Sequence, residues 1–214
     1  MKKFTIKRMA FVAVFAALSS ILYCYVKFPL PIFPPFLDVN FSMIPIIICA
    51  FMFGPIDASI VVLLRFVVKL ILVGTGTQYV GEIADLVLGL IPTITAGCIY
   101  QFYKGNKKEL IAFISVIVTW VATSIFLNIF VNIPFYLELF FKGSWDGLIG
   151  YCGDCFKLIS FGAVKEVTKE NFMTYYILLG IIPFNLMLSG IVVLVTVLVH
   201  KRLKSLYDLI GQNN

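Results

Sequence analysis

The sequence predicts an all-α polytopic membrane protein with about six transmembrane helices and a Pro/Phe-rich loop early in the chain. Of its 214 residues, 61% are hydrophobic and only 13% are charged. The apolar residues fall in long runs, as in transmembrane helices, rather than in the short stripes of a soluble core. The lysines and arginines cluster between alternate runs, which is the charge pattern of a chain that crosses a membrane repeatedly.

Six apolar runs are candidates to cross about 30 Å of hydrocarbon. They are approximately residues 9–26, 43–54, 56–73, 82–103, 109–134 and 175–199. The second run is short, with Pro45 near its start and Gly54-Pro55 at its end, so a partial crossing and a total of five spans is the alternative. No soluble domain or internal repeat separates the runs, and we expect residues 1–214 to form a single transmembrane domain.

The positions of the charges indicate the orientation of these spans. With six spans and a cytoplasmic N-terminus, ten of the 17 cations lie on the cytoplasmic side, as the positive-inside rule requires, and the C-terminus is also cytoplasmic. These ten cations are Lys2, Lys3, Lys7, Arg8, Lys104, Lys107, Lys108, Lys201, Arg202 and Lys204. The net charge of +6 is therefore mainly an orientation signal, and we expect no nucleic-acid partner.

Few residues in the chain have the chemistry of an enzyme. His200, the one histidine in the sequence, lies at the cytoplasmic end of the last run, which counts against His-dependent metal sites and Ser-His triads. The glycine-rich stretch "GTGTQYVGE" lacks the Lys-Ser/Thr that a phosphate-binding loop requires. We therefore predict no catalytic residue, no bound metal and no cofactor. The pair Cys152 and Cys155 is compatible with packing thiols, a disulfide or, least well, a metal site.

Two cations fall inside the third run. Arg65 and Lys69 are one helical turn apart and so share a face, and charges at this depth are costly unless they find a partner or a ligand. They either pair with Glu82 and Asp85 at the start of the fourth run or contact a ligand, and the two roles are compatible.

Further polar residues are placed near the outer ends of the fifth and sixth runs. They are Asn128, Asn132, Tyr136 and Asn185. Isolated amides in spans often join one helix to another, but several of them in neighbouring spans are also typical of a binding pocket that opens outward. On the pocket interpretation, replacing Asn132 or Asn185 by alanine weakens ligand binding more than folding.

The segment 28–45 contains five prolines and four phenylalanines, and prolines cannot continue a helix. We interpret it as a lid over the pocket, with Asp38, Asn40 and Ser42 at its inner rim, because its prolines limit its conformational freedom and its aromatic rings can cover an apolar ligand. The alternative is an aromatic belt at the membrane surface.

Small residues line one stripe of the first run. Ala13 and Ala17 are four residues apart, a spacing that lets another helix approach closely. The stripe therefore suits either docking to another membrane subunit or packing within the protein itself.

Several motifs together resemble a known family. They are "PIFPPFLDVNFSMIP", "FGP" at 53–55, "YVGEIADLVLG" at 79–89, "NIPFY" at 132–136 and "IIPFN" at 181–185. In this order they resemble the substrate-binding S components of energy-coupling factor (ECF) vitamin importers, and most of all the riboflavin-specific ones. The likeness extends over nearly the whole chain.

The resemblance implies a bacterial plasma-membrane protein that captures a vitamin from outside. It also implies partners: one transmembrane coupling subunit, which docks on Ala13 and Ala17, and two ATPases that hydrolyse the ATP. The chain departs from the riboflavin-specific pattern at Asp85, where an asparagine is usual, and at Leu188, where a lysine is usual. The alternatives are therefore another vitamin, anionic if Arg65 and Lys69 are unpaired, or a self-sufficient secondary transporter.

Overall fold

The structure is a computed structural model that describes residues 6–212, with side chains for residues 6–200 and Arg202. Lys2 and Lys3, and the side chains of Lys201 and Lys204, which the charge pattern places on the cytoplasmic side, lie outside the described residues. Helices make up most of the described chain. In order, the elements are α1 (Ile6–Tyr25), β1 (Lys27–Pro29), β2 (Asp38–Asn40), α2 (Met43–Phe53), α3 (Pro55–Leu72), α4 (Val80–Phe102), α5 (Lys108–Leu127), a π-helical turn (Asn128–Asn132), α6 (Ile133–Phe141), α7 (Trp145–Ile159), α8 (Lys169–Tyr175), a second π-helical turn (Tyr176–Ile181) and α9 (Ile182–Gln212).

Four helical runs among the described residues are long and apolar enough to cross a membrane. They are Ile6–Tyr25, Val80–Phe102, Lys108–Phe141 and Lys169–His200. The other two predicted spans correspond to α2, which has 11 residues, and to α3, which has 18 residues but carries Asp57, Arg65 and Lys69. Multiple crossings are thus clear, while the total of six stays a prediction.

The fifth predicted span is longer than expected. Instead of ending at residue 134, the helix continues through the first π-helical turn into α6, so that 34 residues form one run. Pro134 follows directly on the π-helical turn, and the wider turn leaves room for its ring, so the run continues through it. Residues 135–174, between the fifth and sixth predicted spans, are also largely helical, since they contain most of α6, all of α7 and most of α8.

The Pro/Phe-rich segment contains a small antiparallel sheet, which the sequence did not predict, in a structure that is otherwise mostly helical as predicted. Lys27 pairs with Asn40, Phe28 with Val39 and Pro29 with Asp38. Two backbone hydrogen bonds turn the chain between the strands, from Phe33 N to the Leu30 oxygen and from Leu37 N to the Pro34 oxygen, each at 2.9 Å. We call residues 27–40 the hairpin.

Helix α2 lies at the centre of the fold and is hydrophobic around its whole circumference. Its residues Ile46, Ile47 and Cys49 have no exposed surface, and it packs against α1, α3, α4 and α9. A second apolar cluster joins α6, α7 and α8 around Phe156 and Phe172. These two clusters hold the helices that surround the candidate site.

Candidate ligand-binding site

A cavity of about 350 Å³ lies between the hairpin and the helices α1 to α6 and α9. This volume falls in the range of roughly 300–1,000 Å³ that is usual for small-molecule pockets. Ten of the eleven residues predicted to bind substrate line the cavity: Asp38, Asn40, Arg65, Lys69, Glu82, Asp85, Asn128, Asn132, Tyr136 and Asn185. The eleventh, Ser42, does not line it and is completely buried.

One side of the cavity, which we call the charged wall, consists of Arg65, Lys69, Glu82 and Asp85. Residues 65 and 69 stand one turn apart on α3, and residues 82 and 85 lie in the first turns of α4, so the two helices face each other with opposite charges. Arg65 Nη2 binds Asp85 Oδ2 at 2.6 Å, and Lys69 Nζ binds Glu82 Oε1. The pairing of the cations with carboxylates is therefore what the structure shows.

Arg65 has contacts beyond its ion pair. Its Nη1 donates to Ser42 Oγ at 2.7 Å, and its guanidinium lies 4.7 Å from the centre of the Tyr23 ring. Gly89 makes room for it, because a Cβ at that position would stand 3.1 Å from Arg65 Nη2. The Arg65 side chain, only 2% exposed, is thus held by Asp85, Ser42 and Tyr23.

Lys69 and Glu82 form the second pair of the charged wall. Lys69 Nζ also donates to the Gly74 carbonyl at 2.8 Å, in the loop that follows α3. Thr77 Oγ1 donates to the other carboxylate oxygen of Glu82 and accepts from Gly81 N at 3.1 Å. The loop between α3 and α4 is therefore part of the ion-pair network.

The charges that line the cavity balance. Lys27 and Asp38 form a third pair at its rim, at 3.5 Å, with both side chains partly exposed. Each of the three lining cations among the described residues thus has a carboxylate partner, and the lining carries no net charge. A cavity of this kind favours an uncharged ligand over an anion, because an anion would have to displace a carboxylate from its cation.

The opposite side, which we call the amide wall, consists of Asn128, Asn132, Tyr136 and Asn185. Asn128 Oδ1 accepts from Tyr176 Oη at 3.0 Å, and Asn128 Nδ2 donates to the Ser124 carbonyl at 2.9 Å. Asn132 Nδ2 makes only a long 3.5 Å contact with Asn128 Oδ1, and Asn132 Oδ1 has no hydrogen-bond partner. Asn132 thus has unused hydrogen-bonding capacity at the cavity.

Asn185 has a different environment. Its Oδ1 accepts from Trp120 Nε1 at 3.0 Å, and its Nδ2 donates to the Ile181 carbonyl at 2.8 Å, next to the second π-helical turn. Its amide therefore joins α5 to α9 as well as lining the cavity. These contacts indicate that Asn185 also contributes to folding, since the side chain is buried and both ends of its amide are engaged. A greater effect of Asn185 on ligand binding than on folding stays a prediction.

Sequence reasoning missed several lining residues, although a pattern could have shown some of them. Six residues spaced four apart line the cavity: Trp120, Ser124, Asn128, Asn132, Tyr136 and Phe140. In an uninterrupted α-helix, each such step rotates the side chain by about 40°, and the stripe would leave the cavity. The wider π-helical turn at Asn128–Asn132 compensates for this rotation. Tyr23, Thr77 and Phe184 carry no comparable signal.

Aromatic rings connect the hairpin to the helices. The Phe36 ring lies 5.1 Å from that of Tyr136 and 5.2 Å from that of Tyr151, and the Phe33 ring meets Phe184 edge-on at 5.3 Å. Phe36, Tyr136 and Phe184 line the cavity. The hairpin thus contributes both aromatic and polar side chains to the cavity lining, and its role as a lid stays a prediction.

Comparisons with known proteins agree with the helical fold and the ligand-sized cavity. The profile of the family described as "ECF transporter, substrate-specific component" matches residues 7–200. The chain belongs to this family. It is also 27% identical to the riboflavin transporter RibU of Staphylococcus aureus (strain TCH60) over 197 residues, which cover 92% of this chain and 90% of RibU.

The fold agrees with a solved structure of the S component of a bacterial ECF transporter. The TM-score is 0.67 at 24% identity, and the match covers 94% of this chain and 97% of the other. The present chain is thus itself an S component, a multi-pass membrane protein that serves as the substrate-specific part of a transporter, rather than an enzyme.

The predicted docking residues of the S component lie on its surface. Ala13 and Ala17 are exposed on α1, and Val14 and Leu18 beside them are about half exposed. The opposite face of α1 packs into the core through Phe15 and its neighbours. The alanine stripe therefore faces outward, and internal packing, the alternative use of such a stripe, is not what the structure shows.

The two cysteines of α7 are free thiols in a packed environment. Burial raises the pKa of the Cys152 thiol to about 12, so it is protonated at neutral pH. Cys155 Sγ lies 3.3 Å from the Phe33 carbonyl, which places α7 against the hairpin. The burial of Cys152 and the contact of Cys155 fit packing thiols, the first of the three alternatives for this pair.

Proposed function

We propose that this S component binds riboflavin and delivers it to an ATP-driven importer. The observation that carries the proposal is the cavity itself, which combines aromatic rings, engaged and free amides, and a set of charges that cancel. Riboflavin is an uncharged molecule with a flat aromatic ring system and a hydroxylated side chain. The similarity to the riboflavin transporter RibU supports the same ligand.

Each part of such a ligand has a counterpart in the lining. Trp120, Phe36 and Phe184 supply apolar and aromatic surface for a flat ring system. The Asn132 amide has hydrogen-bonding capacity that no protein group uses, which suits a ring N–H or a hydroxyl group, and the Tyr136 hydroxyl is a further donor and acceptor at the cavity. In this assignment Asn132 and Tyr136 contact the ligand directly, with Asn185 and Asn128 behind or beside them.

The ion pairs count against the anionic-vitamin alternative. That alternative requires Arg65 and Lys69 to be available to the ligand, whereas each is bound to a carboxylate. A phosphorylated or carboxylated vitamin would also meet Glu82 and Asp85 in the same wall. We therefore expect preference for the uncharged vitamin over its phosphate ester.

We further propose that the energy for transport comes from partners. The exposed Ala13 and Ala17 on α1 suit close approach by a helix of a transmembrane coupling subunit, which two ATPases would drive. We also propose that the protein lies in the plasma membrane of a bacterial cell, with both termini in the cytoplasm.

The deciding experiment is to purify the chain from cells grown in rich medium and to identify any co-purifying small molecule by mass spectrometry. A stoichiometric flavin is the expected result. Riboflavin titration of the ligand-free protein, followed by flavin fluorescence, then gives the affinity, with the phosphate ester as the matched charged probe. A different vitamin, or equal affinity for both flavins, would contradict the proposal.

A further inference from the structure

Arg65 joins three parts of the fold at the cavity. Its Nη2 binds Asp85 on α4, its Nη1 donates to Ser42 just after the hairpin, and its Cζ lies 4.7 Å from the centre of the Tyr23 ring near the end of α1. The side chain is 2% exposed, and Gly89 leaves the space in which the guanidinium sits. Such a group is well placed to fix its neighbours relative to one another.

Ser42 transmits this position to the hairpin. Its hydroxyl accepts from Arg65 and donates to Asn40 Oδ1 at 2.7 Å, and its backbone N–H donates to the same oxygen at 3.3 Å. Its carbonyl accepts from Ser19 Oγ of α1 at 2.8 Å. Ser42 is fully buried and lies behind the cavity lining, whereas Asn40, the last residue of β2, belongs to the lining.

We propose that Arg65 is a positioning residue, which acts on ligand retention through Ser42 and Asn40 by holding β2 over the cavity. A guanidinium serves this purpose because its planar fork binds Asp85 and Ser42 at the same time, one with each terminal nitrogen. The hairpin is thereby tied to the charged wall, so a displacement of β2 breaks a charge-assisted hydrogen bond. The role in ligand retention rests on the proposed function, but the effect on the hairpin does not.

Two variants test this chain of contacts. Ser42→Ala removes the hydroxyl between Arg65 and Asn40 and leaves the Arg65–Asp85 pair intact. Arg65→Lys keeps the charge but not the fork. Ser59→Ala is the matched control, because the Ser59 hydroxyl bonds only to the Pro55 carbonyl of its own helix, at 2.8 Å.

The first measurement is backbone hydrogen exchange of residues 36–42 in the purified protein without ligand. We expect Ser42→Ala to speed exchange in this segment about tenfold, as loss of one hydrogen bond to a charged group implies, while α4 and the Ser59→Ala control keep the wild-type rates. Unchanged exchange in Ser42→Ala would overturn the proposal, whatever the behaviour of Arg65→Lys.

The second measurement is the dissociation rate of riboflavin. We expect about tenfold faster dissociation from Ser42→Ala and Arg65→Lys than from wild type and Ser59→Ala. Faster hairpin exchange with an unchanged dissociation rate would overturn the role in retention. If the wild-type protein does not bind riboflavin, the proposed function fails, and the ligand-free exchange experiment still decides whether Arg65 positions the hairpin.

Discussion

The charged wall and the amide wall of the cavity use their polar groups differently. Arg65, Lys69, Glu82 and Asp85 have a higher density of charge, yet they are bound mainly to one another and to the loops next to them. The amide wall is uncharged, yet it includes Asn132, whose Oδ1 has no partner. The difference indicates that the charged wall maintains the shape of the site, whereas the amide wall is better suited to recognise a ligand.

The largest expected effect is on folding, from separating an ion pair of the charged wall. Lys69→Met leaves Glu82 buried without its cation, and we expect the free energy of unfolding to fall by about 3–5 kcal/mol. Thermal unfolding in detergent provides the measurement. The double variant with Glu82→Leu is the control, and it should recover most of the loss. A single variant as stable as wild type would contradict the structural role of this wall.

Asn185→Ala should affect both folding and binding. The variant leaves Trp120 Nε1 and the Ile181 carbonyl without their partner, at a cost of about 1–3 kcal/mol in stability, and weakens riboflavin binding by loosening α5 against α9. Unfolding and fluorescence titration are to be measured on the same preparation. Weaker binding at unchanged stability would return Asn185 to the role that the sequence alone suggests.

Asn132→Ala should separate the two properties. We expect riboflavin affinity to fall about tenfold, while the free energy of unfolding changes by about 1 kcal/mol or less, since the only hydrogen bond lost within the described protein is a long one. Asn106→Ala, in the exposed loop between α4 and α5, is the matched control. Wild-type affinity in the Asn132 variant would show that the amide wall does not bind this ligand.

Substitutions on the surface of α1 are expected to have the smallest effect on the charged wall and on the amide wall. Ala13→Trp and Ala17→Trp should abolish vitamin uptake by cells, because a bulky side chain blocks close approach of a helix, and should leave riboflavin affinity within about twofold. Leu194→Trp, at another exposed position, is the control for bulk at the lipid surface. Loss of affinity together with uptake would contradict the separation of docking from binding.

Much of the cavity lining was accessible from sequence because intramembrane polar residues are costly and therefore few. Arg65, Glu82, Asn132 and Asn185 could be selected on that basis alone. Trp120 and Phe184 could not, because aromatic residues are common throughout such a chain and only their position distinguishes them. The hairpin was missed for a related reason: its prolines exclude a helix but do not show where the two short strands pair.

By itself, the sequence determined the class of protein, the family and most of the polar residues around the site, since long apolar runs and rare charges leave few arrangements in a membrane. Only the tertiary structure showed which groups these polar side chains contact. It showed that Arg65 and Lys69 are neutralised by Asp85 and Glu82, and that the amide of Asn185 is engaged. Such pairings depend on distances of a few ångströms between residues up to 65 positions apart. They also depend on a π-helical turn, whose smaller rotation per residue keeps the amide wall at the cavity.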